Sequence, residues 1–140
     1  MALVADLIAA AVIAKLTVPA MTAVPAAAVF DDLVAALAAN DLPAIAVEAG
    51  DESDPQPAAI GQVDRTVDVR VSVLVKGARS AAAAAVEESF GRLVADRTLG
   101  GLALFMEEGP TERDAEGSNE LLYLVTKTYR YTYRTALNAL

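Results

Sequence analysis

The chain has 140 residues, of which 11 are basic and 19 are acidic, so its formal net charge is −8 and its isoelectric point lies near 4.4. A chain of this length has room for one domain around one core, and the acidic balance argues against non-specific binding to duplex DNA or to an anionic membrane. The absence of cysteine and histidine excludes disulfides, thiolate nucleophiles, zinc fingers and the commonest acid/base group at neutral pH.

The N-terminal third predicts one helix followed by an irregular segment. Apolar residues recur at helical spacing from Leu3 to Leu16, with Asp6 near the start and Lys15 near the end to complement the helix dipole. This stretch lacks the basic segment of a secretory signal, and the uncharged run after it is too short to span a membrane, so we expect neither. Prolines then interrupt regular structure, and Asp31-Asp32 could open a short helix that carries Leu33, Val34 and Leu37. The alanine-rich stretch from Pro19 to Ala39 has no assigned role.

The middle of the chain predicts two strands joined by an acidic loop. The apolar stretch from Leu42 to Val47 is typical of a short strand. From Gly50 to Pro57 the residues are polar, acidic and proline-containing, which predicts an exposed loop. Valines then occupy odd positions from Val63 to Val75 with polar residues between them, the period of a half-buried antiparallel strand.

The C-terminal half predicts a helix and two further strands. The helix begins near Ser80 and places its larger apolar residues on one stripe. A short strand from Leu102 to Glu107 and a polar turn follow, and the last strand, from Leu121 to Thr135, alternates tyrosines with threonines and arginines. The linking turns are too short for parallel crossovers between all strands, so we predict a single α+β domain. It would contain an antiparallel or mixed sheet with about two to three helices packed on one face.

Acidic side chains are the only plausible catalytic groups, and their spacing argues against catalysis. Adjacent carboxylates such as Glu87 and Glu88 diverge on a helix or strand, which favours solvated faces. The loop from Asp51 to Asp54 lacks the spaced glycine and closing glutamate of a calcium loop. The tyrosines and arginines of the last strand fall on opposite faces, unlike a platform that stacks nucleic-acid bases. The sequence therefore predicts no catalytic residue, no cofactor and no metal.

Four arginines on the two longest predicted strands are candidates for subunit contacts. They alternate with apolar residues and are Arg65, Arg70, Arg130 and Arg134. Ion pairs across subunits are one interpretation. Cross-strand pairs with Asp64 or Asp68 inside the same chain are the other, and the sequence does not separate the two.

Several short patterns resemble one family when they are taken in order. They are Leu42-Pro43-Ala44-Ile45-Ala46-Val47, the polar loop before Arg65-Thr66-Val67-Asp68-Val69-Arg70-Val71, then Ala95-Asp96-Arg97-Thr98-Leu99-Gly100-Gly101-Leu102, and finally Tyr133-Arg134-Thr135. Their order and spacing, across about two-thirds of the chain, resemble the phage tail terminator family, also called minor tail protein U-like. The N-terminal third matches that family only as a helix of the right kind.

The resemblance implies a structural virion protein without catalytic residues. Its copies would form a ring, expected to be a hexamer, that caps the tail tube at the head-proximal end, stops tail elongation and joins tail to head. The implied partners are the chain itself, the tail tube protein and the head–tail connector protein, with DNA passing through the bore unbound and no membrane involved. Assembly would take place in the host cytoplasm. The alternatives are a head–tail connector or completion protein, and a small acidic binding module unrelated to virions.

Two surfaces follow from this expectation as hypotheses. Asp51, Glu52 and Asp54 would lie at the bore or face the tube, where carboxylates repel phosphate. A long edge strand, either Val63 to Val75 or Leu121 to Thr135, would pair with the next subunit.

Overall fold

The computed structural model describes residues 3–38, 43–77, 79–117 and 121–137, which form three helices and six strands. The helices are α1 (Val4–Thr17), α2 (Leu33–Ala38) and α3 (Arg79–Ala95), and a 3-10 turn spans Ala26–Ala28. The strands are β1 (Val29–Phe30), β2 (Ala44–Glu52), β3 (Gln56–Pro57), β4 (Gln62–Lys76), β5 (Phe105–Gly117) and β6 (Leu121–Ala136). They form one mixed sheet in the order β1-β2-β4-β6-β5, with β3 paired to β4 beside this path. The predicted α+β class is confirmed.

The sheet is organised around β4 and β6. These strands pair without a break in antiparallel register, from Gln62 opposite Ala136 to Lys76 opposite Leu122. Residues directly opposite each other share a face, so odd-numbered residues of both strands lie on one face and even-numbered residues on the other. Because both strands are central, the prediction that one of them is a free edge is wrong. The edges are β5 on one side, and β1 with the unpaired part of β2 on the other.

Helices α1 and α3 cover the odd-numbered face. Ile8, Val12 and Leu16 are fully buried on α1, which packs against β2 and α3, while α3 packs against β4 and β6. Opposite them lie the valines of β4 and three tyrosines of β6. This face holds most of the core, as the period-2 pattern predicts.

The short helix α2 covers part of the other face. It lies between the parallel strands β1 and β2, and a right-handed crossover puts it on the side of the sheet opposite α3. Burial agrees, since Ala44, Ala46 and Leu74 are 0% exposed although they point away from α1 and α3. Both faces are therefore buried near β2, whereas the even-numbered face is open further along β4 and β6.

β5 is much longer than the predicted strand from Leu102 to Glu107. Gly109 and Pro110, which indicate a turn in the sequence, instead form a bulge: Glu108 is opposite Tyr129 and Thr111 is opposite Lys127, so two residues of β5 lie against one of β6. A side chain at Gly109 would approach the Cβ of Thr128 to 3.0 Å, which explains the glycine.

The same bulge accounts for Lys127, the one charged residue among apolar neighbours on the odd-numbered face of β6. Its ammonium group lies 3.2 Å from the carbonyl oxygen of Gly109 and 3.2 Å from Oε1 of Glu108. A carbonyl freed by the bulge and a carboxylate therefore neutralise a cation whose side chain is only 15% exposed.

Three tyrosines of β6 form a buried row under the helices. Tyr129 and Tyr131 are 0% exposed, and the hydroxyl group of Tyr131 has no hydrogen-bond partner among the described residues. Burial raises the pKa of Tyr129 to about 12 and raises the pKa of Tyr131 as well. Tyr133 differs because its hydroxyl donates a 2.5 Å hydrogen bond to Oε1 of Glu52. The row thus contributes mainly apolar area and ring packing.

This difference gives a test of the row. A phenylalanine at position 131 removes a buried, unpaired hydroxyl, so we expect the free energy of unfolding of Tyr131→Phe to stay the same or to rise by up to about 1 kcal/mol. Tyr133→Phe is the matched variant, in which Glu52 loses its donor, and we expect it to lower the free energy by about 1–2 kcal/mol. Urea unfolding followed by circular dichroism measures both, and a clear loss of stability in Tyr131→Phe would contradict the interpretation.

Candidate functional site

The open face carries two cross-strand ion pairs between β4 and β6. Nε of Arg130 lies 2.9 Å from Oδ1 of Asp68, and Nε of Arg134 lies 2.7 Å from Oδ1 of Asp64. The hydrogen bond from Arg134 holds the pKa of Asp64 below its ordinary value. Both pairs follow from the register, which puts each arginine directly opposite its aspartate. The structure thus shows the intrachain arrangement for these two predicted interface residues.

Arg65 and Arg70 do not belong to that group. Arg65 lies on the odd-numbered face opposite Tyr133, and its Nε donates a 3.0 Å hydrogen bond to Oγ1 of Thr135. Arg70 lies on the open face, and its guanidinium group lies over Gly50. A Cβ added at Gly50 would be 3.1 Å from Nη1 of Arg70. The four arginines therefore do not form one cluster. Arg70 alone among them has an exposed guanidinium without an ion pair or hydrogen bond within the described chain.

The predicted acidic loop is largely strand. β2 continues through Asp51 and Glu52, and only residues 53–55 connect it to β3, so Asp54 alone of the three lies in a loop. Glu52 is opposite Val67 after an irregularity in the register, and its carboxylate accepts the hydrogen bond from Tyr133. That contact and burial raise the pKa of Tyr133. All three are exposed, but Glu52 alone accepts a hydrogen bond from a core tyrosine.

A carboxylate and a guanidinium on α3 hold the segment that follows α1. Oε2 of Glu88 accepts the backbone N–H of Thr22 at 2.9 Å, and Oε1 accepts that of Ala23 at 2.8 Å. These two bonds lower the pKa of Glu88. Met21 and Val24, which flank the bonded amides, are buried in the core.

Arg92, one turn further along α3, completes the contact. It donates hydrogen bonds to the carbonyl oxygens of Lys15 at 3.2 Å, Ala20 at 3.0 Å and Pro19, and lies 3.7 Å from Oε2 of Glu88. The first part of the segment without an assigned role, from Pro19 to Ala23, is thus fixed by side chains of α3. Sequence reasoning missed this function because it interpreted Glu88 as solvated; the spacing of Glu88 and Arg92 predicts an ion pair but not its backbone partners.

Asp96 joins the ends of α1 and α3. Its Oδ2 lies 2.9 Å from Nζ of Lys15 and accepts the N–H of Gly100 at 3.0 Å, while Thr98 donates its hydroxyl to Oδ1 at 3.2 Å. The hydrogen bond from Lys15 is the main reason that the pKa of Asp96 is lowered. The turn that it stabilises contains Leu99 in the left-handed region, with φ of 51°.

A groove of about 410 Å³ lies between α3 and the β5–β6 hairpin. Its residues come from the first half of α3 and from the part of the hairpin beyond the bulge; they are Ala82, Ala83, Val86, Glu87, Arg113, Asp114, Tyr123 and Val125. The surface is mostly apolar with charges of both signs beside it, which is suited to binding a polypeptide side chain.

The described parts of the chain contain neither a candidate metal site nor a helix suited to cross a membrane. There, no group of three or more acidic side chains is close enough together to hold a metal ion. In the same residues no helix has the length and apolarity needed to cross a membrane. The carboxylates with lowered pKa instead make hydrogen bonds or ion pairs inside the fold.

The contact made by Glu88 predicts a pH-dependent contribution to stability. Since its pKa is lower in the folded state than the ordinary 4.5, this contribution is complete above pH 4.5 and is lost as the pH falls through the folded-state pKa. We expect Glu88→Gln to lower the free energy of unfolding by about 1–2 kcal/mol at pH 7 and by less at pH 3. The exposed neighbour provides the control Glu87→Gln, with little expected effect at either pH. Equal losses at both pH values would show that the charge of Glu88 is not involved.

No protein-family model matches the chain, and no curated protein matches it significantly. The resemblance to phage tail terminators therefore rests on the sequence patterns alone. A function for the chain is therefore inferred from its sequence patterns and surfaces and not from relatives.

Proposed function

We propose that the chain is a structural virion protein that caps the tail tube as a ring, stops its elongation and provides the surface that joins tail to head. The observation that carries the proposal, together with the sequence resemblance, is the distribution of charge. Among the described residues, five basic side chains are engaged by carboxylates of the same chain; they are Lys15, Arg92, Lys127, Arg130 and Arg134. Exposed carboxylates are left without such partners in the described chain, among them Asp51, Asp54, Glu112 and Asp114.

A surface of this kind suits a ring around a DNA channel. Unpaired carboxylates repel phosphate, whereas free lysines and arginines would bind it and displace its counterions. With a net charge of −8 for each copy, a closed ring would multiply this repulsion. DNA could then pass without being held.

The sheet also suits a repeating structural unit. Its even-numbered face is crossed by ion pairs and, in the part buried near β2, by hydroxyl contacts such as Ser72 with Thr126, at 3.0 Å. A rotationally closed ring needs two different surfaces that fit each other on opposite sides of the subunit. Exposed apolar residues are available on α1 and on α2, at Leu3, Leu7, Val34 and Leu37. Arg70, exposed and without an ion pair in the described chain, is the candidate for a polar contact at this interface.

A binding module that works as a monomer is the second candidate, and the groove beside α3 favours it. A head–tail connector would differ from a terminator only in its neighbours. The mass of the assembly separates the ring from the module, and the phenotype of the virion separates the terminator from the connector.

For the ring, we expect light scattering of the purified chain to give a multiple of 14.5 kDa, with a hexamer at about 87 kDa. Arg70→Gln should shift this mass towards the monomer. Arg134→Gln is the control, because it removes a charge from the same face that Asp64 already neutralises. A monomer at all concentrations, also in the presence of tail tube protein, would contradict the ring.

For the terminator role, electron microscopy of particles made without this gene product is the direct measurement. Overlong, irregular tails without heads are expected, because nothing would stop addition of tube subunits. Tails of normal length that lack heads would indicate a connector, and normal tails with heads would reject both roles.

A further inference from the structure

No described strand pairs with the outer edge of β5, and the register determines which of its main-chain groups are free. The N–H of Leu137 donates to the carbonyl of Gly61 at 2.8 Å, which makes odd-numbered residues of β6 the hydrogen-bonded partners of β4. Even-numbered residues of β6 therefore turn their main-chain groups towards β5. Since Glu112 is opposite Thr126, it bonds to β6, and Thr111 and Arg113 direct their N–H and C=O groups outward.

Acidic side chains accompany this edge. β5 contains five acidic residues and one basic residue. Glu112 and Asp114 are exposed on the open face beside the free main-chain groups, without ion-pair partners in the described chain. Such an edge attracts a strand that carries positive charge.

The same charges reject a second copy of the chain. Two β5 strands side by side would oppose carboxylates to carboxylates, and the unpaired part of β2 also carries acidic residues, at Glu48, Asp51 and Glu52. Natural edge strands are commonly protected by charges, prolines and bulges. In β5 the bulge and the proline are confined to Gly109 and Pro110, and pairing with β6 is regular from Thr111 onward.

The groove beside α3 provides the second half of a binding surface. Arg113 and Val125 are directly opposite each other on the odd-numbered face, and both line the groove with Val86. A strand added to β5 would direct alternate side chains to the two faces of the sheet. One set would meet Glu112 and Asp114 on the open face, and the other would extend over the groove, which Asp114 also lines.

We propose that β5, from Thr111 onward, accepts an extended segment of another protein, with alternating basic and apolar residues, as a seventh strand of the sheet. Main-chain hydrogen bonds would provide affinity, while Glu112, Asp114 and the groove would select the sequence. This binding does not depend on ring formation or on a place in a virion, and a monomer would show it too.

The probe is a fluorescent, end-capped peptide of seven residues that alternates lysine and valine, with a glutamate–valine peptide of equal length as its counterpart. We expect the lysine peptide to raise fluorescence anisotropy on binding the full chain, and the glutamate peptide to bind at least about tenfold more weakly. Glu112→Lys combined with Asp114→Lys should reverse this preference. Equal binding of both peptides, or no binding of either at low salt, would overturn the proposal.

A second comparison separates strand addition from simple attraction between charges. Arg113→Pro removes an outward N–H without removing a hydrogen bond to β6, and Arg113→Ala removes the same side chain with the donor kept. We expect at least about tenfold weaker peptide binding for the proline variant than for the alanine variant. Similar affinities would show that the main chain of β5 is not used.

Hydrogen exchange of the unmodified chain provides a measurement that does not depend on how the variants fold. Bound peptide should slow exchange at the amides of Thr111 and Arg113 and leave that of Glu112, already bonded to β6, nearly unchanged. Protection elsewhere with none at these two amides would overturn the proposal even if the peptide binds.

Discussion

The unbroken antiparallel register between β4 and β6 determines most of what the molecule exposes and buries. It puts the odd-numbered residues of both strands on the face that α1 and α3 cover, and aligns Asp64 with Arg134 and Asp68 with Arg130 on the other face. It also decides which main-chain groups of β6 face β5, and through β6 which groups of β5 remain free. The core, the face with the ion pairs and the open edge therefore all result from one alignment. A shift of the register by one residue would move the core side chains of a strand to the other face and change which main-chain groups are free.

The helices depend on a second set of contacts, in which carboxylates are used as structural acceptors. Glu88 binds two backbone amides, and Asp96 binds one amide, a hydroxyl and the ammonium of Lys15. Hydrogen bonds to an ionised carboxylate are stronger than those to a neutral acceptor. Those of Glu88 fix the irregular segment after α1, where short side chains offer little area for burial, and those of Asp96 fix the turn after α3. Acidic residues that are candidates for catalysis in the sequence thus stabilise the fold.

The elements that could be predicted from the sequence are those whose signal is local. The alternation of valines predicts β4, and helical spacing with a basic residue near the end predicts α1. The wrong predictions have local causes as well. Gly109 and Pro110 give the same sequence signal in a turn and in a bulge, so the length of β5 could not be predicted. The central position of β4 and β6 depends on pairing between distant segments, which one sequence does not reveal. The partners of Glu88 are backbone groups, which carry no residue-specific signal.

The surplus of acidic charge also limits how copies of the chain can associate. Both open sheet edges carry carboxylates, and their direct pairing between copies would oppose like charges at neutral pH. A ring of these subunits is therefore better formed through exposed apolar residues of the helices, such as Leu7 and Leu37, than by continuing the sheet from copy to copy. Sheet edges that repel the acidic edges of other copies remain available to a strand of opposite charge. Self-association and partner binding would thus use different surfaces, because the charge that disfavours one favours the other.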